Sequence, residues 1–240
     1  MDQTRGVFIM KLFFDHNKHA GQGIEKNDPK KTGLGLFFDI LKREWFELIK
    51  LNLLFLLFCL PVITIPAAYT AMCKITITMV RDKNFYLLSD FWQAFRLEFH
   101  RSTVAGLICF VCAAALAYAS VFYYSRIELS VHYAVFAIVC AFGLLTALIA
   151  SFYIFSMIAS VSLNFVDYFK NSILLTFIYA NYNLLTITFV FAVVVVILVT
   201  LPYSILFVLF FALSLTNLAV TFCACHALRR YVVREDTFWF

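Results

Sequence analysis

Residues 56–74 read LLFCLPVITIPAAYTAMCK and set Pro61 and Pro66 inside an apolar run. Residues 51–73 carry no charge, so the segment is long enough for one crossing. The prolines offer the other reading, a turn and a return. The cations decide between them. One crossing divides the 19 Lys and Arg almost evenly between the two sides of a membrane. A hairpin turning at PVITIP leaves only Arg126 opposite all the others, the asymmetry that cytoplasmic loops show. Proline supplies the means, because it ends helices and holds the preceding residue extended. The hairpin is therefore the reading adopted. It places Lys74 on the returning arm, where a charge at the bilayer centre costs roughly 2.5–3.5 kcal/mol before snorkelling reduces it. That arm is expected to be short, tilted and covered by neighbouring helices.

The composition requires a lipid environment. The chain has 240 residues, 63% of them hydrophobic and 14% charged, too little polar surface for a soluble domain of this length. Its 29 Phe and 12 Tyr suit lipid-facing helices with aromatic residues near the headgroups. Membrane lipid is thus the first expected partner. The excess of Lys and Arg over 14 acids fits loops beside an anionic membrane surface and does not indicate nucleic acid. All seven Cys fall in apolar stretches, where they read as packing residues. Cys109 and Cys112 have CxxC spacing, but a metal or redox site needs further ligands and a polar surround, so neither a metal nor a cofactor is expected. The start, MDQTRGVFIMKLFFDHN, is broken by Lys11 and does not read as a signal peptide.

Residues 1–35 read as a polar cytoplasmic tail and 36–240 as a single transmembrane domain. Within LGLFFDILKREWFELIK, Phe37, Leu41, Trp45 and Leu48/Ile49 recur at helical spacing, which predicts an interfacial amphipathic helix leading into the membrane. Further spans are predicted at Thr103–Tyr124, Val131–Asn164 and Leu184–Cys225, the last split by Pro202-Tyr203. The fold class is all-α: a polytopic helical bundle of five to six membrane segments with a Pro-turn hairpin near its start and both termini cytoplasmic.

Few residues suggest chemistry. The four spans after the hairpin lack Asp, Glu, Lys and Arg, and their histidines, His132 and His226, stand at span ends. Ion-coupled transport usually needs charged groups inside the spans, so it is disfavoured. Motifs of hydrolases and nucleotide-binding proteins are missing from the sequence, and no enzymatic activity is expected. Tyr153, Ser156, Ser160 and Asn164 share a helix face. With Lys74 they could line a path for an uncharged polyol, although interhelical hydrogen bonding is the plainer reading. Small residues at Gly106, Cys109/Ala113, Ala117 and Ser120 predict a close helix contact. In LLSDFWQAFRLEFH, Ser89 or Asp90 can cap a helix whose Phe91, Phe95 and Phe99 align, with Trp92 beside them. These four aromatics are candidate partner contacts, against the plainer reading of a helix lying on the membrane surface. The segment does not match the E-A-A coupling motif of ABC permeases.

The stretch LIKLNLLFLLFCLPVITIPAAYTAM, followed by RDKNFYLLSDFWQAF, resembles the YesL family of bacterial membrane proteins over about residues 10–105. On that comparison Met10 stands where members begin, and Pro66 stands where members often carry Gly. The resemblance implies location in a bacterial cell membrane. Members are often encoded beside carbohydrate ABC importers, so it also implies a role accessory to sugar uptake, with importer subunits as partners. The alternative is a standalone transporter or facilitator of a small uncharged solute. The resemblance assigns a biochemical role to no residue.

Overall fold

A computed structural model describes residues 34–81, 83–201 and 203–231. The tail through residue 33, Met10, Lys11, Pro202 and the side chain of His226 lie outside the described residues. The described chain forms helices throughout and contains no strand.

Helix α1 (Leu34–Arg43) and α2 (Trp45–Phe58) are separated by a bend at Glu44, where one continuous amphipathic helix was predicted. The buried stripe also differs from the predicted one. Phe37, Ile40, Leu48, Leu51 and Leu54 face the core, whereas Trp45 is 55% exposed. These positions still follow a single helical face, because the ladder continues through Glu44, whose N–H bonds Ile40 O and whose carbonyl accepts Leu48 N–H. The chain then turns through Cys59–Thr64. Pro61 is extended, and the Thr64 hydroxyl donates to the carbonyls of Phe58 and Pro61, taking up groups that the end of α2 leaves free. Helix α3 (Ile65–Val80) starts at once, with Pro66 in its first turn, where its missing N–H is harmless. Both α1 and α2 pack on α3, so the chain does reverse here.

Helix α4 (Leu87–Tyr124) joins two elements that the sequence suggested separately. It runs for 38 residues, about 57 Å at 1.5 Å per residue, nearly twice the ~30 Å of a hydrocarbon core. Its start is fastened by Asp90, whose Oδ2 accepts the Tyr86 N–H at 2.9 Å. Helix α5 (Val131–Ser160) returns beside α4 and ends where Val161 turns extended, four residues before the predicted end of the span. Helix α6 (Phe165–Ile178) was not predicted. It is tied to the end of α5 by buried Tyr168, whose hydroxyl donates to Val161 O at 2.8 Å and accepts Leu163 N–H at 3.0 Å. Helix α7 (Ala180–Val199) ends before residue 202, and α8 (Ser204–Phe207) begins after it, as the proline predicted. A π-helical stretch, Val208–Ala212, leads into α9 (Leu213–Tyr231).

Among the described residues, five segments are long and apolar enough to cross a membrane: Val62–Val80, α4, α5, α7 and Val208–Cys225. The protein is a multi-pass membrane protein. Helix α2, at 14 residues and about 21 Å, falls short of a span. The five differ sharply in burial. Only 6–11% of the best windows in α4, α5 and α7 is buried, against 56% for Val62–Val80 and 44% for Val208–Cys225. The first three are lipid-facing; α3 and α9 are core.

The position of α3 explains this division. Pro66 lies against Gly106, and further along the antiparallel pair Thr70 and Lys74 share a cavity wall with Ala94, Leu97 and Glu98. Helix α3 thus runs beside the charged half of α4, which holds Asp90, Arg96, Glu98, His100 and Arg101, and hardly touches the charge-free half. Gly106 is only five residues, about 7.5 Å, beyond Arg101. At the turn end of α2, Phe58 packs its ring on Phe91, Trp92 and Phe95 at centroid distances of 5.0–5.7 Å, again at the charged end of α4. The hairpin thus packs along the charged half of α4. Its tip is apolar and bare: Leu60, Val62 and Ile63 are 68–78% exposed. The bundle therefore has long, little-buried helices (α4, α5 and α7) and a packed part made of α1, α2, α3, α9 and the first half of α4.

Candidate functional site

Helix α3 is buried along nearly its whole length, and Lys74 is the exposed exception at its centre. Lys74 opens onto a cavity of about 520 Å³. One wall is α3, with Thr70 a turn before Lys74. The second is α4, with Ala94, Leu97 and Glu98. The third is the last turn of α5 and its exit, Ile158–Leu163. The local sequence sets these walls. Ala67, Ala68 and Ala71 let α3 lie close to its neighbours, and the absent side chain at Gly106 lets the Pro66 ring seat on α4, where an added Cβ would come within 2.5 Å of Pro66 Cγ.

The cavity holds two opposite charges that do not meet. Among the described residues neither a hydrogen bond nor an ion pair closes on the Lys74 ammonium. Glu98 Oε2 is buried without a hydrogen bond, its nearest cation being Arg101 Nη1 at 3.8 Å, one turn along the same helix. The third wall adds a dipole. Of the carbonyls closing α5, Met157 O accepts the Val161 N–H, while those after it have no continuing helix to bond them. This end carries partial negative charge.

A second polar system lies inside the core. Asn52 of α2 is fully buried; its Nδ2 donates to the carbonyls of Val208 (2.9 Å) and Leu209 (2.6 Å), and its Oδ1 accepts Ser214 N–H (3.0 Å). These are groups that the π-helical geometry removes from the ordinary ladder. Asn217 of α9 donates to Thr76 Oγ1 at 3.1 Å and accepts the Cys73 thiol at 3.2 Å.

A family model matches part of this chain. Residues 48–119 match the family described as "Protein of unknown function, DUF624". The match takes in α2, the turn, α3 and most of α4, hence Asn52, Lys74, Gly106 and Glu98, but not the α5 wall. No curated protein and no solved structure matches the chain.

The structure separates the residues that the sequence grouped as a polar lining. Lys74 and Ser160 line the cavity. Tyr153 instead donates to Asn183 Oδ1 of α7 at 2.6 Å, and Asn183 donates to Thr176 O of α6 at 2.9 Å. Ser156 is fully buried facing Cys73. Asn164 is exposed at the start of α6. The four residues of the α5 face do not share one lumen. The aromatic group divides as well. Phe91 is fully buried, Phe95 is 9% exposed and Phe99 packs on Phe95, so these rings serve the chain's own core; Trp92, 46% exposed, looks outward. Pro61 sits in the turn, and Pro66 in the first turn of α3. Sequence reasoning missed Glu98, Asn52 and Asn217. A lone Asn in an apolar run is a visible signal, since a buried amide must find partners, whereas Glu98 looked like one more charge on an exposed helix.

Proposed function

We propose that the chain is a non-enzymatic membrane protein accessory to a carbohydrate uptake system of the ABC type, held in a bacterial cell membrane with both termini in the cytoplasm. The observation that carries the reading is the projecting half of α4. Its inner face is closed by Phe91 and Phe95, and its outer face presents Trp92, Gln93, Arg96, Leu97 and His100. Trp92 is held by stacking on Phe95 and by the Arg96 guanidinium 5.8 Å from its ring, so it enters a contact already ordered. Trp and Arg are both enriched among the residues that dominate interface energetics. The Lys and Arg asymmetry supports a cytoplasmic position for this face. The resemblance to the YesL family supplies the kind of partner.

The alternative, a standalone facilitator of a small uncharged solute, needs a continuous polar path. The separate settings of Tyr153, Ser156 and Asn164 weigh against it. Site-specific photo-crosslinkers at Trp92 and Leu97, in cells growing on a carbohydrate, test the proposal. An adduct with a permease or ATPase subunit of a carbohydrate importer is expected. If no importer subunit is captured and the purified chain speeds neutral polyol entry into liposomes, the facilitator reading replaces it.

A further inference from the structure

The cavity between α3, α4 and the end of α5 opens beside the docking face, and Leu97 belongs to both. This side chain is 70% exposed, an apolar ridge between the outer face of α4 and the recess. Beyond the ridge, Ala94, Ile158 and Leu163 supply apolar lining. At about 520 Å³ the recess lies in the range of those that bury whole ligands, so it takes more than one side chain. Two cations flank the ridge. Arg96 precedes Leu97 on the outer face, and Lys74, also exposed, stands on the α3 wall. Among the described residues neither forms an ion pair. The acids of this half of α4 are engaged: Asp90 accepts the Tyr86 N–H, and Glu98 pairs with Arg101 at 3.8 Å. The last carbonyls of α5 add only about half a unit of negative charge. The surface is therefore basic on both sides of an apolar ridge.

We infer that this continuous surface, from Trp92 over Leu97 into the cavity, receives an acidic amphipathic helix of the partner protein. The inference rests on the docking reading and adds the chemistry of the partner's segment. An apolar side chain of that helix enters the recess over Leu97, while its carboxylates meet Arg96 and Lys74. On a helix, residues three and four positions apart are surface neighbours, so acids at that spacing flank an apolar anchor on both sides. The two cations stand on different helices with Leu97 between them, an arrangement that matches such a face. A single lipid phosphate is a poorer match, since it meets one cation and leaves the apolar ridge uncovered.

Two stapled amphipathic peptides, added to the purified full chain in a neutral detergent, test the inference. Both carry Leu along one face, and they differ only at the flanking positions, Glu in one and Lys in the other. The Glu peptide is expected to bind at least ten-fold more tightly, and a photo-crosslinker at Ser162, on the cavity wall, to capture it. Lys74→Glu and Arg96→Glu are each expected to weaken it at least five-fold, and Lys74→Arg to keep it. Arg126→Glu, just beyond the far end of α4, is expected to change nothing. Equal binding of the two peptides, or no binding of the Glu peptide, overturns the inference. So does indifference to both charge reversals in variants that elute as the wild type does on size exclusion. If the Glu peptide fails while native mass spectrometry shows phosphatidylglycerol held over phosphatidylcholine and released by the same reversals, the surface belongs to anionic lipid instead. The two readings fail separately. An importer adduct at Trp92 with equal peptide binding keeps the docking reading and removes this one, whereas selective Glu-peptide binding without any importer adduct does the reverse.

Discussion

At the scale of single residues, the buried amides carry more than their number suggests. Asn52 sits on α2 yet satisfies two carbonyls and an amide around a π-helical stretch more than 150 positions later. Replacing Asn52 with Leu leaves those backbone groups unpaired in a dry core, at roughly 1–3 kcal/mol for each group that finds no new partner. Asn217 differs, because its partners are side chains. Thr76 Oγ1 already donates to the carbonyls of Met72 and Cys73, so it keeps partners when Asn217 is lost. Asn217→Leu is therefore expected to cost nearer the ~0.6 kcal/mol average of interhelical hydrogen bonds in membranes. Denaturant titrations of both variants in detergent should rank Asn52→Leu as clearly the more damaging. Equal losses would mean that the π-helical stretch finds other partners.

At the scale of elements, the contact between α3 and α4 sets where the hairpin lies. Gly106 permits it, since any side chain there meets the Pro66 ring. Gly106→Leu is expected to destabilise the packed layer by about 1–3 kcal/mol, the usual penalty of overpacking. Gly143, whose added Cβ would meet only Leu116 methyl groups at 3.5–3.8 Å, is the control: Gly143→Ala is expected to leave the melting temperature in detergent within a few degrees of wild type. The turn itself has two supports, the prolines and the Thr64 hydroxyl. Replacing Pro61 and Pro66 together with Leu favours an uninterrupted helix from α2 into α3. With a thiol at position 83 on a background without other cysteines, some of the population is expected to become labelled from outside, or the protein to be degraded. Unchanged labelling at normal abundance would show that Thr64 and the packing of α3 hold the turn alone.

At the scale of the whole molecule, the decisive feature is the split between long, little-buried helices and a packed part. It leads to a depth prediction. A cysteine at Ile63, at the bare tip of the hairpin, is expected to escape membrane-impermeant reagents from either side, while a cysteine at Arg126 is labelled only from outside and one at Lys83 only from the cytoplasm. External labelling at position 63 would mean that both arms of the hairpin cross fully. Either outcome keeps α4 and α9 in place, because a turned-back hairpin and a twice-crossing one return the chain to the same side.

The all-α membrane fold, the proline turn and the break near residue 202 follow from the sequence by itself. They depend on local chemistry: apolar length, the missing N–H of proline, and charges excluded from hydrocarbon. The sequence also named Lys74 as the awkward charge in the returning arm and expected that arm to be covered. What it could not decide was the level of that arm. Val62–Val80 is long and apolar enough to cross, and only its register against the charged half of α4, set by Pro66 on Gly106, puts it in the packed layer. The same register brings Glu98 and Lys74 to one cavity, and it takes Phe91 and Phe95 from candidate contacts into the core. Hydropathy records how much each helix tolerates lipid. Which helices lipid touches depends on contacts between segments far apart in the chain, and these exist only in the folded bundle.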